Sequence, residues 1–234
     1  MRVSWRDVDD ASTAGPAGNR AVVRLGPTGE DPLSSDRGVK STTPKPLAVA
    51  GRVLVACERS GKVRDAFSAL GFDAVSCDLE ETATPGPHLR CDIRDVDRSG
   101  WDMVIAFPPC TFLTAAGAWR WPYTTRERNE AVRLVQYLWD WPVDRLAIEN
   151  PQGWLNSHWR KPDGRFEPYW FGDAYTKRSY LWLRQLPPLM PTLLVPPAAS
   201  WTEDQRHNKD RSGARSLTFG GVAHAMALQW GPLL

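Results

Sequence analysis

The sequence has no long apolar run: no stretch approaches the roughly 18 uninterrupted apolar residues that crossing a bilayer takes. Its N-terminus also lacks the charged-then-apolar order of a secretory signal, so a cytoplasmic protein is expected. Cysteine is scarce, and Cys57, Cys77, Cys91 and Cys110 are widely spaced. Their spacing matches neither a zinc ligand set nor a compact disulfide framework. No metal is therefore expected, and the thiols are expected to be reduced and to differ in role. Charge of one sign is nearly absent as well: 29 basic against 27 acidic residues leave a formal +2. That balance permits a polyanionic partner and does not require one.

What is present is enough apolar material for a core. At 234 residues and 42% hydrophobic content, one α/β domain is the default. Residues 1–47 are rich in Gly, Pro, Ser, Thr and Asp, with only Ala21–Leu25 apolar, and predict a mostly disordered leader. The folded domain is expected over 48–234.

From Leu47 the texture changes. Val53–Cys57 is a continuous apolar run of the kind buried on both faces of a parallel sheet. Val63, Ala66, Phe67 and Leu70 follow at helical spacing and stop at Gly71. Phe72–Cys77 predicts a second strand ending at Asp78. Strand, turn with Gly61, helix and strand make the opening of a nucleotide-binding α/β unit, in which Asp78 stands where a ribose is met. His88–Cys91 predicts a weak third strand before Asp92, and Met103–Phe107 a strong fourth before Pro108. Ala131, Leu134, Val135 and Leu138 form another helical face, and Arg145–Ile148 a fifth strand leading into Glu149-Asn150-Pro151. Alternation of strand and helix is expected throughout. Further on, Ser179–Leu183 predicts a strand and Val222–Trp230 a helix, flanking a Pro-rich 185–200 stretch and a polar 202–215 stretch. Ligands of such sheets bind beyond the carboxyl ends of the strands, where Glu58, Asp78, Asp92, Cys110 and Glu149 are expected to converge.

Cys110 follows two prolines at a strand end and is held extended, unable to enter a helix. An unpaired cysteine is usually a small packing residue, and Cys57, Cys77 and Cys91 read that way. For Cys110 the neighbouring strand end brings a carboxyl, Glu149, toward the same pocket. By itself Glu149 serves equally well as a helix cap or a partner for a cation.

Pro108-Pro109-Cys110 with Glu149-Asn150-Pro151 resembles the catalytic pair of the DNA cytosine-C5 methyltransferases, in which Pro-Cys and Glu-Asn-Val are usual. More narrowly, Val55–Gly61, Ala147–Pro151 and Lys177 with Leu181–Leu183 are similar to small methyltransferase-like proteins of bacteriophages and prophages, over about Val53–Gly231. The resemblance implies a Rossmann-like, S-adenosylmethionine-dependent methyltransferase domain with a mostly parallel central sheet. It implies double-stranded DNA as partner and a phage-infected or lysogenic bacterial cell as the setting, and a monomer is expected. The family chemistry implies that Cys110 adds to cytosine C6 and makes C5 nucleophilic, while Glu149 hydrogen-bonds N3 and the exocyclic amine. The cytosine is rotated out of the helix to allow both approaches.

The same resemblance implies cofactor contacts from Cys57, Glu58 and Gly61 in the first turn, from Asp78 on the ribose, from Asp92 and Ile93 at the adenine edge, and from Pro108. In the Phe171–Ser179 segment the family carries Gln-x-Arg-x-Arg; Lys177 falls on the first Arg and loses its planar fork, so Lys177 or the neighbouring Arg178 contacts base or phosphate. Phe219–Ala223 resembles the closing Gly-Asn-Ser-Val, with Gly221 at the cofactor. Only residues 185–218 remain for target recognition, a much reduced region in which Arg206, Arg211 and Arg215, together with His207 and Lys209, are expected on DNA and Trp201 on a base. Thr114 and the mixed aromatic and basic segment Trp119–Arg128 are further expected contacts.

Two other functions fit the same residues. One is a catalytically degenerate methyltransferase fold kept as a DNA-binding module, consistent with a first turn that retains one glycine. The other is a thiol-dependent pyrimidine-C5 one-carbon transferase acting on nucleotides, which Asp78, Asp92 and the βαβ opening disfavour. An amino-methyltransferase is disfavoured because Phe107-Pro108-Pro109-Cys110 departs from its motif at both ends.

Overall fold

A computed structural model describes residues 51–205, 208 and 217–234. The leader expected over 1–47 lies outside the described residues, as do Arg206, His207, Lys209, Arg211 and Arg215.

The domain is α/β, built on a seven-stranded sheet. In chain order the strands are β1 (Arg52–Ala56), β2 (Asp73–Asp78), β3 (His88–Arg90), β4 (Met103–Ala106), β5 (Arg145–Pro151), β6 (Gly164–Phe166) and β8 (Ser179–Arg184). Two short strands, β7 (Tyr175–Thr176) and β9 (Ala199–Ser200), pair separately. The large sheet runs β3-β2-β1-β4-β5-β8-β6. Its first five strands are parallel, whereas β8 is antiparallel to both its neighbours. The order reverses between β1 and β4, and a doubly wound sheet opens a ligand crevice at such a reversal.

The central strands are buried because both faces are covered. Val53, Val55, Met103, Ile105 and Ala147 form one core with α1 (Lys62–Ser68) and the C-terminal helix α5 (Gly220–Trp230). Leu54, Ala56, Val104, Ala106, Leu146 and Ile148 form a second core with Val135 and Leu138 of α2 (Thr125–Trp139). Alternate residues of one strand thus enter opposite cores, as the two-residue period of a strand requires. That is why β1 and β4 read as unbroken apolar runs. Helix α5 presents apolar residues on nearly every side and buries Val222, Ala223, Ala225, Met226, Ala227 and Trp230. The Trp230 indole keeps a partner by donating to the Pro187 carbonyl at 2.9 Å.

The expected alternation of strand and helix holds only in part. A loop without a helix joins β2 to β3, and one short 3-10 turn, Ile93–Asp95, lies between β3 and β4. The last two strands of the large sheet turn back as an antiparallel pair. Glu149 and Asn150 lie inside β5 and not beyond it, because pairing with β8 continues to Pro151 opposite Ser179. Two further short helices, α3 (Trp154–His158) and α4 (Trp201–Asp204), complete the described elements used below. Among the described residues, no helix is long and apolar enough to cross a membrane.

Candidate functional site

The carboxyl ends of β1, β2, β4 and β5 open into a cleft of about 670 Å³, open solvent included. Cys57, Asp78, Pro108, Cys110, Glu149 and Lys177 all line it. Beside it lies a second hollow of about 440 Å³ lined by Cys77, Cys91, Asp92, Ile93 and Leu134. Cys57, Asp78 and Pro109 border both, so the two spaces meet across the strand ends.

Each catalytic candidate is positioned by backbone. Phe107 extends β4 by donating its N–H to the Ala56 carbonyl at 2.9 Å. After the two prolines, the Cys110 carbonyl accepts from Leu113 and Thr114, both at 2.9 Å, closing a tight turn. This turn is laced to the segment after Glu149: Trp154 donates to the Leu113 carbonyl at 2.7 Å, and Ala115 to the Gln152 carbonyl at 2.8 Å. Asn150, beside Glu149, donates its Nδ2 to the Pro108 carbonyl at 2.9 Å. The strand with the carboxyl therefore holds the loop with the thiol. Glu149 is half-buried between buried Ile148 and Asn150, and its carboxyl has no hydrogen bond or ion pair among the described residues.

Lys177 reaches the cleft from the bend before β8. Its backbone N–H donates to Glu167 at 2.9 Å, and its ammonium lies 5.8 Å from the centre of the Phe219 ring. Arg178 does not share that position. It pairs with Glu167 at 3.2 Å and lines neither hollow.

The first turn is built differently from expectation. Cys57, not a glycine, takes the left-handed conformation at the end of β1, with φ 55°, a backbone state that costs a non-glycine residue roughly 1–2 kcal/mol. Glu58 is buried and turned inward, bonded to the Ser60 hydroxyl and to the Gly61 N–H. Burial pushes its carboxyl above the usual range, against the pull of those two hydrogen bonds. Gly61, at φ 74°, has no room for a side chain: a Cβ would stand 2.1 Å from the Thr84 hydroxyl. Neither Glu58 nor Gly61 lines the cleft. Their part is to fix the turn, and fully buried Arg64 extends the effect. It donates to Ser76, Thr82 and the Thr84 and Pro85 carbonyls at 3.0–3.2 Å, stitching α1 to the loop beyond Asp78.

Asp78 accepts the Glu80 N–H at Oδ1, 3.0 Å, and borders both hollows. Asp92 caps the 3-10 turn through the Arg94 N–H at 2.9 Å while lining the second hollow with Ile93. Gly221 lies off the cleft. Its N–H donates to Asp173 at 2.9 Å, and a Cβ there would stand 1.8 Å from the Phe171 carbonyl. The C-terminal helix instead meets the cleft through Phe219 and Val222.

The thiols differ sharply. Burial, then Asp78 and Asp92, push Cys57 up to about 12, so it stays protonated at neutral pH. Cys77 is also pushed up, by burial first and by its neighbour Cys91. Cys110, half-buried on its turn, is the remaining thiol of the larger cleft.

Several expected DNA contacts are committed elsewhere. Trp201 packs against Tyr175 and Phe219, at ring separations of 4.9 and 5.0 Å. Arg128 is buried with its guanidinium 4.1 Å from the Trp154 ring centre. Thr114 forms a bridge with Gly153 and does not line the cleft. Trp119 and Tyr123, by contrast, are 75% and 84% exposed. Lining residues that the sequence did not single out are Phe166 and Thr218, and from the Phe219–Ala223 motif it is Phe219 and Val222 that line the cleft. Phe166 sits in a three-residue strand that leaves no periodic signal. Among the described residues, no group of three or more His, Cys, Asp or Glu is placed to hold a metal ion. No family model matches the chain, and no curated protein is significantly similar to it.

Proposed function

We propose that this protein is a DNA cytosine-C5 methyltransferase using S-adenosylmethionine, with Cys110 as nucleophile, Glu149 as the group that binds and protonates the base, and Lys177 as the adjoining cation. One observation carries this reading: Cys110, Glu149 and Lys177, 67 positions apart from first to last in the chain, line one cleft. That cleft meets a hollow with the properties of a nucleoside site. Ile93, Leu134 and Cys77 offer apolar walls to a planar base, and Asp78 and Asp92 offer acceptors to hydroxyl and amino groups at its rim. S-adenosylmethionine, when bound, supplies an electrophilic methyl group.

The protein's own groups supply the rest. Cys110 as thiolate adds to C6 of a flipped cytosine, and the ring electrons move toward C5 and N3. Glu149, facing N3 and the exocyclic amine, stabilises that charge by hydrogen bonding, a contribution typically worth several kcal/mol in a site shielded from water. After C5 is methylated, loss of its proton and elimination of the thiolate restore the ring and free Cys110. Duplex DNA as the partner is supported by Trp119, Arg120 and Tyr123, which follow the Cys110 turn closely and include two large exposed rings. The proposed setting is the cytoplasm of a phage-bearing bacterium.

The test is direct. The protein is incubated with duplex DNA and labelled S-adenosylmethionine, and the DNA is digested to nucleosides. Labelled 5-methylcytosine is expected, and its loss in Cys110→Ser; undiminished product from that variant overturns the mechanism. DNA containing 5-fluorocytosine, from which the C5 substituent cannot leave, is expected to trap the wild-type chain covalently and not the variant.

A further inference from the structure

Three of the four cysteines border the second hollow, and two of them touch. The Cys77 and Cys91 sulfurs are 3.9 Å apart, and the Cys77 thiol also points at the Cys91 carbonyl, 3.5 Å away. Cys77 is fixed near the end of β2 and fully buried; Cys91 follows the last residue of β3 and is half-buried. The backbone brings them together: Cys77 is the register partner of Leu89, two residues before Cys91, and the Cys91 N–H donates to the Asp78 carbonyl at 3.1 Å.

Packing alone does not require two thiols in contact at the border of an open hollow. Two thiols already in contact need only a two-electron oxidant and a small movement to join. We propose that Cys77 and Cys91 are a redox-active dithiol, which hydrogen peroxide entering the hollow converts to a disulfide.

The chemistry balances in two steps. Cys91, the more accessible sulfur, attacks one peroxide oxygen as its thiolate; the O–O bond breaks, the other oxygen leaves as hydroxide, and Cys91 becomes a sulfenic acid. The buried, protonated Cys77 thiol, in contact with the Cys91 sulfur, then attacks it as its proton passes to the sulfenic oxygen, which leaves as water. In sum, two thiols and one peroxide give one disulfide and two waters. A disulfide bond is about 2.0–2.05 Å long, so the sulfurs must close by roughly 2 Å from their present contact. That movement falls on Cys91, which lies outside the regular strand.

The consequence rests on the cofactor reading above. Cys91 precedes Asp92, which with Asp78 and Ile93 lines the hollow. Drawing Cys91 toward β2 displaces the Asp92 carboxyl and narrows the space. Loss of one good polar contact to a ligand amounts to about tenfold in affinity.

Trypsin separates the three candidates conveniently. Cys57 lies in Val53–Arg59, Cys77 in Asp65–Arg90 and Cys91 in Cys91–Arg94. The full chain is treated with stoichiometric hydrogen peroxide, alkylated without reductant and digested. The expected product is Asp65–Arg90 joined to Cys91–Arg94, lighter than the two free peptides by one hydrogen from each thiol, and separated again by dithiothreitol. Recovery of Cys77 and Cys91 in separate peptides, or a link through Cys57, overturns the proposal. Binding of S-adenosylmethionine is then measured on reduced and oxidised protein, with about tenfold weaker binding expected after oxidation. Equal affinity of the two forms refutes closure of the hollow. A reduced protein that binds no S-adenosylmethionine refutes the cofactor reading and leaves the crosslink result standing.

Discussion

The Asn150 side-chain amide donates to the Pro108 carbonyl at 2.9 Å, in the buried seam between β5 and the loop that carries Cys110. The other end of that amide, Oδ1, is buried with no hydrogen-bond partner. Leaving a polar atom unsatisfied costs about 1–3 kcal/mol, so the orientation is kept for what Nδ2 does. It locks Pro108-Pro109-Cys110 against the strand that presents Glu149. Asn150→Asp puts an acceptor opposite the carbonyl and removes the Nδ2 donor. It is expected to lower unfolding free energy by about 1–3 kcal/mol, read from urea denaturation. It is also expected to slow 5-fluorocytosine trapping at least about tenfold, a displacement of the thiol away from its attack position. Wild-type trapping in a destabilised Asn150→Asp would mean that the bond serves folding alone.

Gly153 answers the same seam from the other side. A Cβ there would stand 1.9 Å from the Leu113 carbonyl and 2.9 Å from the Ala115 nitrogen, the groups laced to Trp154 and Gln152. Gly153→Ala forces these strands apart, and overpacking of this kind costs about 1–3 kcal/mol. Its effect on catalysis is expected to exceed that of its thermal destabilisation, because the displaced backbone is the Cys110 turn. Thermal unfolding and single-turnover methylation below the melting range separate the two. Equal activity of folded wild-type and folded variant would show that the lacing does not position Cys110.

Arg128 distinguishes structure from DNA contact. Its guanidinium lies over Trp154 at 4.1 Å and donates to the Trp121 carbonyl and the Thr125 hydroxyl, joining the segment after Cys110 to α2 and α3. Arg128→Ala is expected to cost about 1–3 kcal/mol of stability, since it removes a buried cation–π contact and the donor to a carbonyl. The salt dependence of DNA binding should stay as in the wild type, because a residue that touches no phosphate releases no counterion. A salt slope reduced by about one ion in Arg128→Ala would return this residue to the DNA face.

Much of this arrangement was legible in the sequence, and the exceptions have physical causes. β1 and β4 were clear because both faces are covered, which leaves an unbroken apolar run; the thiol and carboxyl were clear because they follow such runs closely. The direction of β8 was not legible, since strand direction is decided by partners far away in the chain. For the same reason Glu149 was expected beyond a strand and lies within one. Trp201 and Arg128 were expected on DNA and are packed inward. Both have a large apolar surface with a polar tip, so composition alone suits them to either side. The first turn misled most: Gly61 leaves no room for a side chain beside Thr84, and the left-handed conformation is shared by Gly61 and Cys57.

Glu58 gives this turn a dependence on pH. Burial raises its pKa above the ordinary carboxylate value, with the Ser60 and Gly61 hydrogen bonds opposing and not cancelling that effect. A group whose folded pKa is raised contributes stability that is fully present below its unfolded pKa and is lost as pH rises through the folded one. Above that folded pKa the chain therefore carries a buried, ionised Glu58 at a cost. Glu58→Gln keeps an acceptor for the Gly61 N–H and a polar partner for Ser60 without the charge. It is expected to be more stable than wild type at pH 7, with the advantage shrinking as pH falls below the raised folded pKa toward the ordinary carboxylate value of the unfolded chain, about 4.3. Paired urea melts of the two chains across that range check the sign. A difference that stays constant with pH, or grows toward acid, would show that Glu58 is not held in the raised state.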